Sequence, residues 1–243
     1  MKLTLLFASA LLLSASSCSN STDQNTTDEK KSGTIENTTS DKNEVDNPDE
    51  PSAQVTKLEL SAFKFDDYIT LTTPEQIKAR FDGEDEVEHG TSLYQEGTVE
   101  YDHTIVTNPA TTHEVKYLWD DKGDLSFVEA NYIKYDENFD EKGIQMLGTE
   151  SGVYLGMPLE ELVEWNGQDF DFYGFGWDYG GGIKREKGTK LTDSKYVIRL
   201  DMRYKEGMPS AIMGDILLNS SNELLKDQEI FVSNISYYLD GEQ

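Results

Sequence analysis

From residue 56 onward the chain alternates between segments whose apolar positions repeat every second residue and segments whose apolar positions repeat every third or fourth. In Lys195–Tyr204, Ile198, Leu200, Met202 and Tyr204 interleave with Val197, Arg199, Asp201 and Arg203, the period of a half-buried strand. Thr98–Val106, Thr112–Trp119 and Leu125–Tyr135 are rich in β-branched and aromatic residues and are separated by Asn108-Pro109 and Asp121-Lys122-Gly123-Asp124, both turn chemistries. They predict an antiparallel meander. Asp169–Phe175 and Glu229–Leu239 are further strand candidates, and Met208–Leu225 reads either as a short helix or as a strand with loops.

Two segments carry helical signals at matching offsets. Thr73-Pro74-Glu75-Gln76-Ile77-Lys78-Ala79-Arg80-Phe81-Asp82-Gly83 aligns with Met157-Pro158-Leu159-Glu160-Glu161-Leu162-Val163-Glu164-Trp165-Asn166-Gly167. Proline suits a first helical turn, where its missing N–H is no loss, and glycine suits the position past the end, where φ is positive. Ile77 and Phe81 share one face, and Leu159, Leu162 and Val163 form the matching stripe. The expectation is an α+β fold of two tandem units, 56–145 and 146–243, each a short helix packed on antiparallel sheet.

Ahead of this region the pattern changes twice. Leu3–Leu13 is an apolar run of 11 residues after Lys2, too short to span a bilayer, for which about 20 are needed. Small residues then lead to Cys18, so residues 1–17 read as a signal peptide. Ser19–Val55 is polar, lacks aromatics and carries a charge of −6. It cannot bury enough surface to offset chain entropy, so 18–55 is expected to be a disordered acidic tether. Its coil dimensions would be on the order of 30–35 Å.

The segment Ala15-Ser16-Ser17-Cys18 resembles the lipobox of bacterial lipoproteins. Leucine usually stands three residues before the cysteine, and looser boxes of this kind occur in Bacteroidota. The resemblance implies cleavage before Cys18, its lipidation, and a membrane anchor in the cell envelope; Ser19 in place of Asp implies the outer membrane, with the domain periplasmic or surface-exposed. Ordinary cleavage near Ala15, leaving a free thiol, is the alternative. The segment Gly152–Leu162, with Gly156-Met157-Pro158, is similar to the Gly-Met-Thr helix opening of small envelope modules, in the β-lactamase inhibitor protein family with two such units and the BamE family of outer-membrane assembly lipoproteins with one. Pro158 stands in place of the usual Thr. This resemblance implies the fold and no activity.

Composition narrows the partners. With 47 acidic against 21 basic residues, the formal charge is −26, which opposes binding to nucleic acid or anionic headgroups. A single cysteine excludes an internal disulfide. His89, His103 and His113 match no metal-site spacing, and no nucleophile elbow, Walker loop or His-Glu-x-x-His is present, so no catalytic residue, metal or cofactor is assigned. His103 and His113 would be cross-strand neighbours if their strands form a hairpin. The acidic run at Glu84, Asp85, Glu86 and Glu88 reads as solvated loop.

Phe170–Gly182 is the most unusual stretch, with six aromatics and five glycines in 13 residues. Trp177 and Tyr179 as anchors with Asp178 as a hydrogen-bond acceptor would make a ligand-binding patch; a bulged strand whose aromatics fill the core is the plainer alternative. The function expected is a non-catalytic, lipid-anchored envelope module that binds a protein or glycan. A carboxylate-based hydrolase and a purely structural envelope component are the alternatives. Oligomeric state has no sequence signal.

Overall fold

The computed structural model describes residues 62–83, 86–136 and 138–239; the expected signal peptide, Cys18 and tether lie outside the described residues. Two short helices come first, α1 (Phe65–Tyr68) and α2 (Pro74–Arg80). Thr73 caps α2: its hydroxyl accepts from the Gln76 N–H, and the Gln76 side-chain oxygen accepts from the Thr73 N–H, a reciprocal pair that satisfies two donors at the helix start. Four strands follow: β1 (Val87–Tyr94), β2 (Val99–Thr107), β3 (Glu114–Trp119) and β4 (Leu125–Asn131). Next come the hairpin strands β5 (Ile133–Tyr135) and β6 (Glu141–Ile144), α3 (Leu159–Asn166), β7 (Asp171–Tyr173), α4 (Lys190–Asp193), β8 (Val197–Met202), β9 (Leu217–Asn219) and β10 (Ile230–Tyr238). No helix among the described residues is long and apolar enough to cross a membrane.

The fold is α+β. Its main sheet has six strands in the order β1-β2-β3-β4-β10-β8, every neighbouring pair antiparallel. The two segments aligned in the sequence are the two longest helices, and Gly167 closes α3 at φ 84° as the left-handed cap. Strands before and after residue 146 are hydrogen-bonded into one sheet, because β10 lies between β4 and β8. All the described residues belong to one compact unit, and α1, α2 and α3 contribute to a single core that includes Ile77, Tyr117, Val128, Leu162 and Leu200.

The strand expected over Leu125–Tyr135 breaks at Tyr132, whose N–H turns to the Ser233 carbonyl; the remainder becomes β5 and pairs with β6 in a separate hairpin. Met208–Leu225 resolves into two single 3₁₀ turns around the short β9.

The two faces of the main sheet differ. One buries Val106, Val115, Tyr117, Val128, Ile198 and Ile235 against the helices. The other carries Tyr94, Tyr101, Phe127 and Tyr238, whose rings meet with centroids 4.9–5.6 Å apart. Next to them runs a polar row: Glu129 accepts from the Tyr94 hydroxyl at 2.7 Å and from the Asn234 amide at 3.3 Å, and Lys116 lies 4.0 Å from the same carboxylate.

Candidate functional site

The Gly/aromatic stretch divides its rings between two environments. Phe170, Phe172 and Phe175 are buried in the core, Phe172 on β7 with Leu218 of β9 opposite it. Tyr173 and Tyr179 face solvent, Tyr179 at 64 % exposure, and Trp177 is half-buried. Both readings of the sequence therefore find rings to describe: the phenylalanines fill the core, and the tyrosines and Trp177 form a surface.

Backbone geometry holds that surface in place. Tyr173 N–H donates to the Gly182 carbonyl and Gly181 N–H to the Tyr173 carbonyl, each at 2.9 Å, so residues 173–182 close on themselves. The Leu200 N–H donates to the Gly181 carbonyl at 2.9 Å, which fastens the loop to the free edge of β8. Glycine is required at two of these points. A Cβ on Gly174 would lie 2.7 Å from the Gly214 carbonyl oxygen, and one on Gly181, at φ +71°, would lie 1.8 Å from the Leu200 carbonyl oxygen. Backbone approaches this close leave no room for any side chain.

Within the loop Trp177 is the central ring. Its indole N–H donates to the Gly174 carbonyl at 2.9 Å, and Tyr173 and Tyr179 flank it edge-on at centroid distances of 6.0 and 5.3 Å. Such T-shaped contacts fix the relative orientation of the rings. The Asp178 carbonyl accepts a hydrogen bond from the Arg199 guanidinium.

The exposed Asp178 carboxyl has a partner that the sequence did not suggest, Glu96. This residue sits in the β1–β2 turn, where Gln95 and Glu96 adopt φ of 50° and 58° and Gly97 a φ of 79°. The hydrogen bond to Asp178, and then the like charge, raise the Glu96 carboxyl above its usual range.

Both carboxyls, Glu96 and Asp178, lie open to solvent. A groove of about 360 Å³ lined by Phe63, Leu71, Gln76 and Arg80 lies along α1 and α2 and includes no residue of the aromatic loop. His103 and His113 do not meet: His103 faces Gly90 on β1 and Leu118 on β3, while the His113 carbonyl pairs with Asn108 beyond the end of β3. His103 Nδ1 instead lies 2.8 Å from the Ser92 hydroxyl. Burial, then Lys116, lower the His103 imidazole below its ordinary value. A serine beside a neutral imidazole is half of a nucleophilic site. Here Glu129, on the same face, engages Tyr94 and Lys116 rather than the imidazole. Among the described residues no group of three or more His, Cys, Asp or Glu is placed to hold a metal.

No protein-family model, no characterised protein and no solved structure matches this chain.

Proposed function

We propose that this protein is a lipid-anchored module of the cell envelope whose folded domain binds a glycan through the Tyr173–Trp177–Tyr179 surface. The observation that carries the reading is the placement of two solvent-facing tyrosine rings on either side of the half-buried Trp177, beside the exposed carboxyl of Asp178. Aromatic faces stack on the C–H faces of sugars, and carboxyls accept from sugar hydroxyls. The charge of −26 selects neutral or cationic sugars over phosphorylated or uronic ones.

Anchoring rests on Cys18 and its lipobox-like surroundings, and reach on the polar tether. An outer-membrane location, periplasmic or at the cell surface, follows from Ser19 by the same resemblance. The matched offsets of 73–83 and 157–167 support a tandem origin of the two helix-bearing halves, merged into a single sheet. The function needs no enzyme chemistry and no cofactor.

The test is a titration of the full, detergent-solubilised protein against a panel of neutral, amino and acidic oligosaccharides, read by Trp177 fluorescence and saturation-transfer NMR. Binding of a neutral or amino sugar that Tyr179→Ala weakens at least about tenfold supports the reading. A panel without binding, or binding indifferent to Tyr179→Ala, removes it. Mass spectrometry of the wild type and Cys18→Ala tests the anchor, since an unacylated Cys18 would end that part.

A further inference from the structure

The same hydrogen-bond pattern closes two turns of this chain. In Asp120–Asp124, between β3 and β4, the Asp120 carboxylate accepts from the N–H groups of Lys122 and Asp124, both at 2.9 Å. In Asp136–Asp140, between β5 and β6, the Asp136 carboxylate accepts from Asn138 and Asp140 at 2.8 and 2.9 Å. Asp120 N–H donates to the Asp124 carbonyl as Asp136 N–H does to that of Asp140, and the fourth residue donates back to the first carbonyl at 3.0 Å in each. That fourth residue is left-handed in both loops. In the first it is Gly123 at φ 82°, and in the second it is Phe139 at φ 63°.

Glycine is the residue this position suits. A bulky aromatic at positive φ is a strained backbone outlier, and outliers of this kind gather at sites of function. Phe139 recovers nothing from its own fold. It is 86 % exposed, and no aromatic ring or cation among the described residues packs on it. Tyr135, Ile144 and Met146 on the same projection are 48–61 % exposed.

The projection is nevertheless held firmly. The buried Gln145 side chain receives the Glu114 N–H at 2.6 Å and donates to the carbonyls of Glu114 and Asn131 at 2.9 and 2.7 Å. Lys142 pairs with Glu114 at 3.2 Å, Lys134 donates to the Thr112 carbonyl at 3.0 Å, and Arg203 pairs with Glu141 at 3.3 Å. A rigid hairpin presenting an apolar anchor loses little entropy on docking.

We propose that the β5–β6 hairpin is a protein-docking element that inserts Phe139 into an apolar pocket of a partner whose rim is basic. Acidic Asp136 and Asp140 flank Phe139 in the turn, so a Lys/Arg rim supplies the complementary charge. The same charge disfavours a second copy of a chain at −26 and an anionic membrane. This surface is separate from the aromatic loop and stands or falls independently of glycan binding.

The experiment places the photo-cross-linking residue p-benzoylphenylalanine at position 139 of the full-length protein in its native cells, with position 122 of the sister loop as control. Adducts are mapped by mass spectrometry. One dominant adduct to another protein, at a peptide bearing Lys or Arg, absent from the position-122 control and reduced several-fold by Asp140→Lys, is the expected result. The purified partner then binds Phe139→Gly at least about tenfold more weakly than wild type, although the melting temperature of that variant is equal or higher. No adduct, adducts shared with the control, adducts to phospholipid or to a second copy, or a protein adduct indifferent to Asp140→Lys each overturn the proposal.

Discussion

The Tyr196 hydroxyl donates a hydrogen bond to the Asp66 carboxylate, joining α1 to the start of β8 across 130 residues of chain. Asp66 is almost fully buried and also receives Lys195 Nζ at 2.9 Å and the Glu150 N–H at 2.7 Å. Burial alone would raise this carboxyl, but the hydrogen bonds from Tyr196, Lys195 and Glu150 outweigh it and hold it below its ordinary value. A charge-assisted bond of this kind contributes about 1.5–3 kcal/mol. Tyr196→Phe should lower the free energy of unfolding in urea by that order, and Asp66→Ala by more, since it leaves three donors unpaired.

Acid should destabilise the domain in two stages. His103 and His113 are both lowered by burial first, with Lys116 and Lys134 adding to it, and the Nδ1 of His113 is buried without a partner. The unfolded chain takes up these protons near pH 6.5 and the folded chain only at lower pH, so stability is lost as pH falls from about 6.5. Asp66, lowered in the fold, adds a second loss as pH falls below its ordinary 3.8. Asp201, raised by burial, works in the opposite sense and partly offsets the decline. Urea midpoints measured at pH 7.5, 6.0, 5.0 and 3.5 should trace this course, and the first stage should shrink in His113→Gln.

The loop's rings should separate by truncation. Phe172→Ala removes a fully buried ring and should cost about 3–5 kcal/mol, while Tyr179→Ala should leave stability within about 0.5 kcal/mol. Calorimetry on the two variants checks this, and equal costs would mean that Tyr179 is packed in solution.

Gly181→Ala should detach the loop from β8. Its Cβ cannot coexist with the Leu200 carbonyl oxygen at 1.8 Å, and a left-handed alanine adds strain, so the loss should exceed about 1 kcal/mol. Faster exchange of the Leu200 amide, with a red shift of Trp177 emission, would report the detachment.

Much of the framework was readable in the sequence because burial imposes a period. β8 and β10 lie inside the expected ranges, since alternating residues meet the core, and α2 and α3 begin near their prolines. β1 gave no such signal. Val87–Tyr94 is an edge strand with mostly exposed side chains and a glycine at its centre, so no apolar repeat marks it; its main constraint is pairing with β2. In the candidate site, the composition of Phe170–Gly182 singled out the segment but not which of its rings are buried. Glu96 was invisible, because it stands in the β1–β2 turn, 82 residues from Asp178 in the chain. Phe139 could have been noticed by setting Asp120-Asp121-Lys122-Gly123-Asp124 beside Asp136–Asp140.

The position of β10 has a consequence for how the chain acquires its structure. The Asn234 amide reaches the Glu129 carboxylate across 105 residues, and β10 supplies the inner neighbour of both β4 and β8. Until Ile230–Tyr238 emerges, those two strands have open edges and no path to each other. Sheet closure is therefore a late, long-range event, slow by the entropy of the loop it must close, and β4 and β8 stay unjoined until β10 has paired with both.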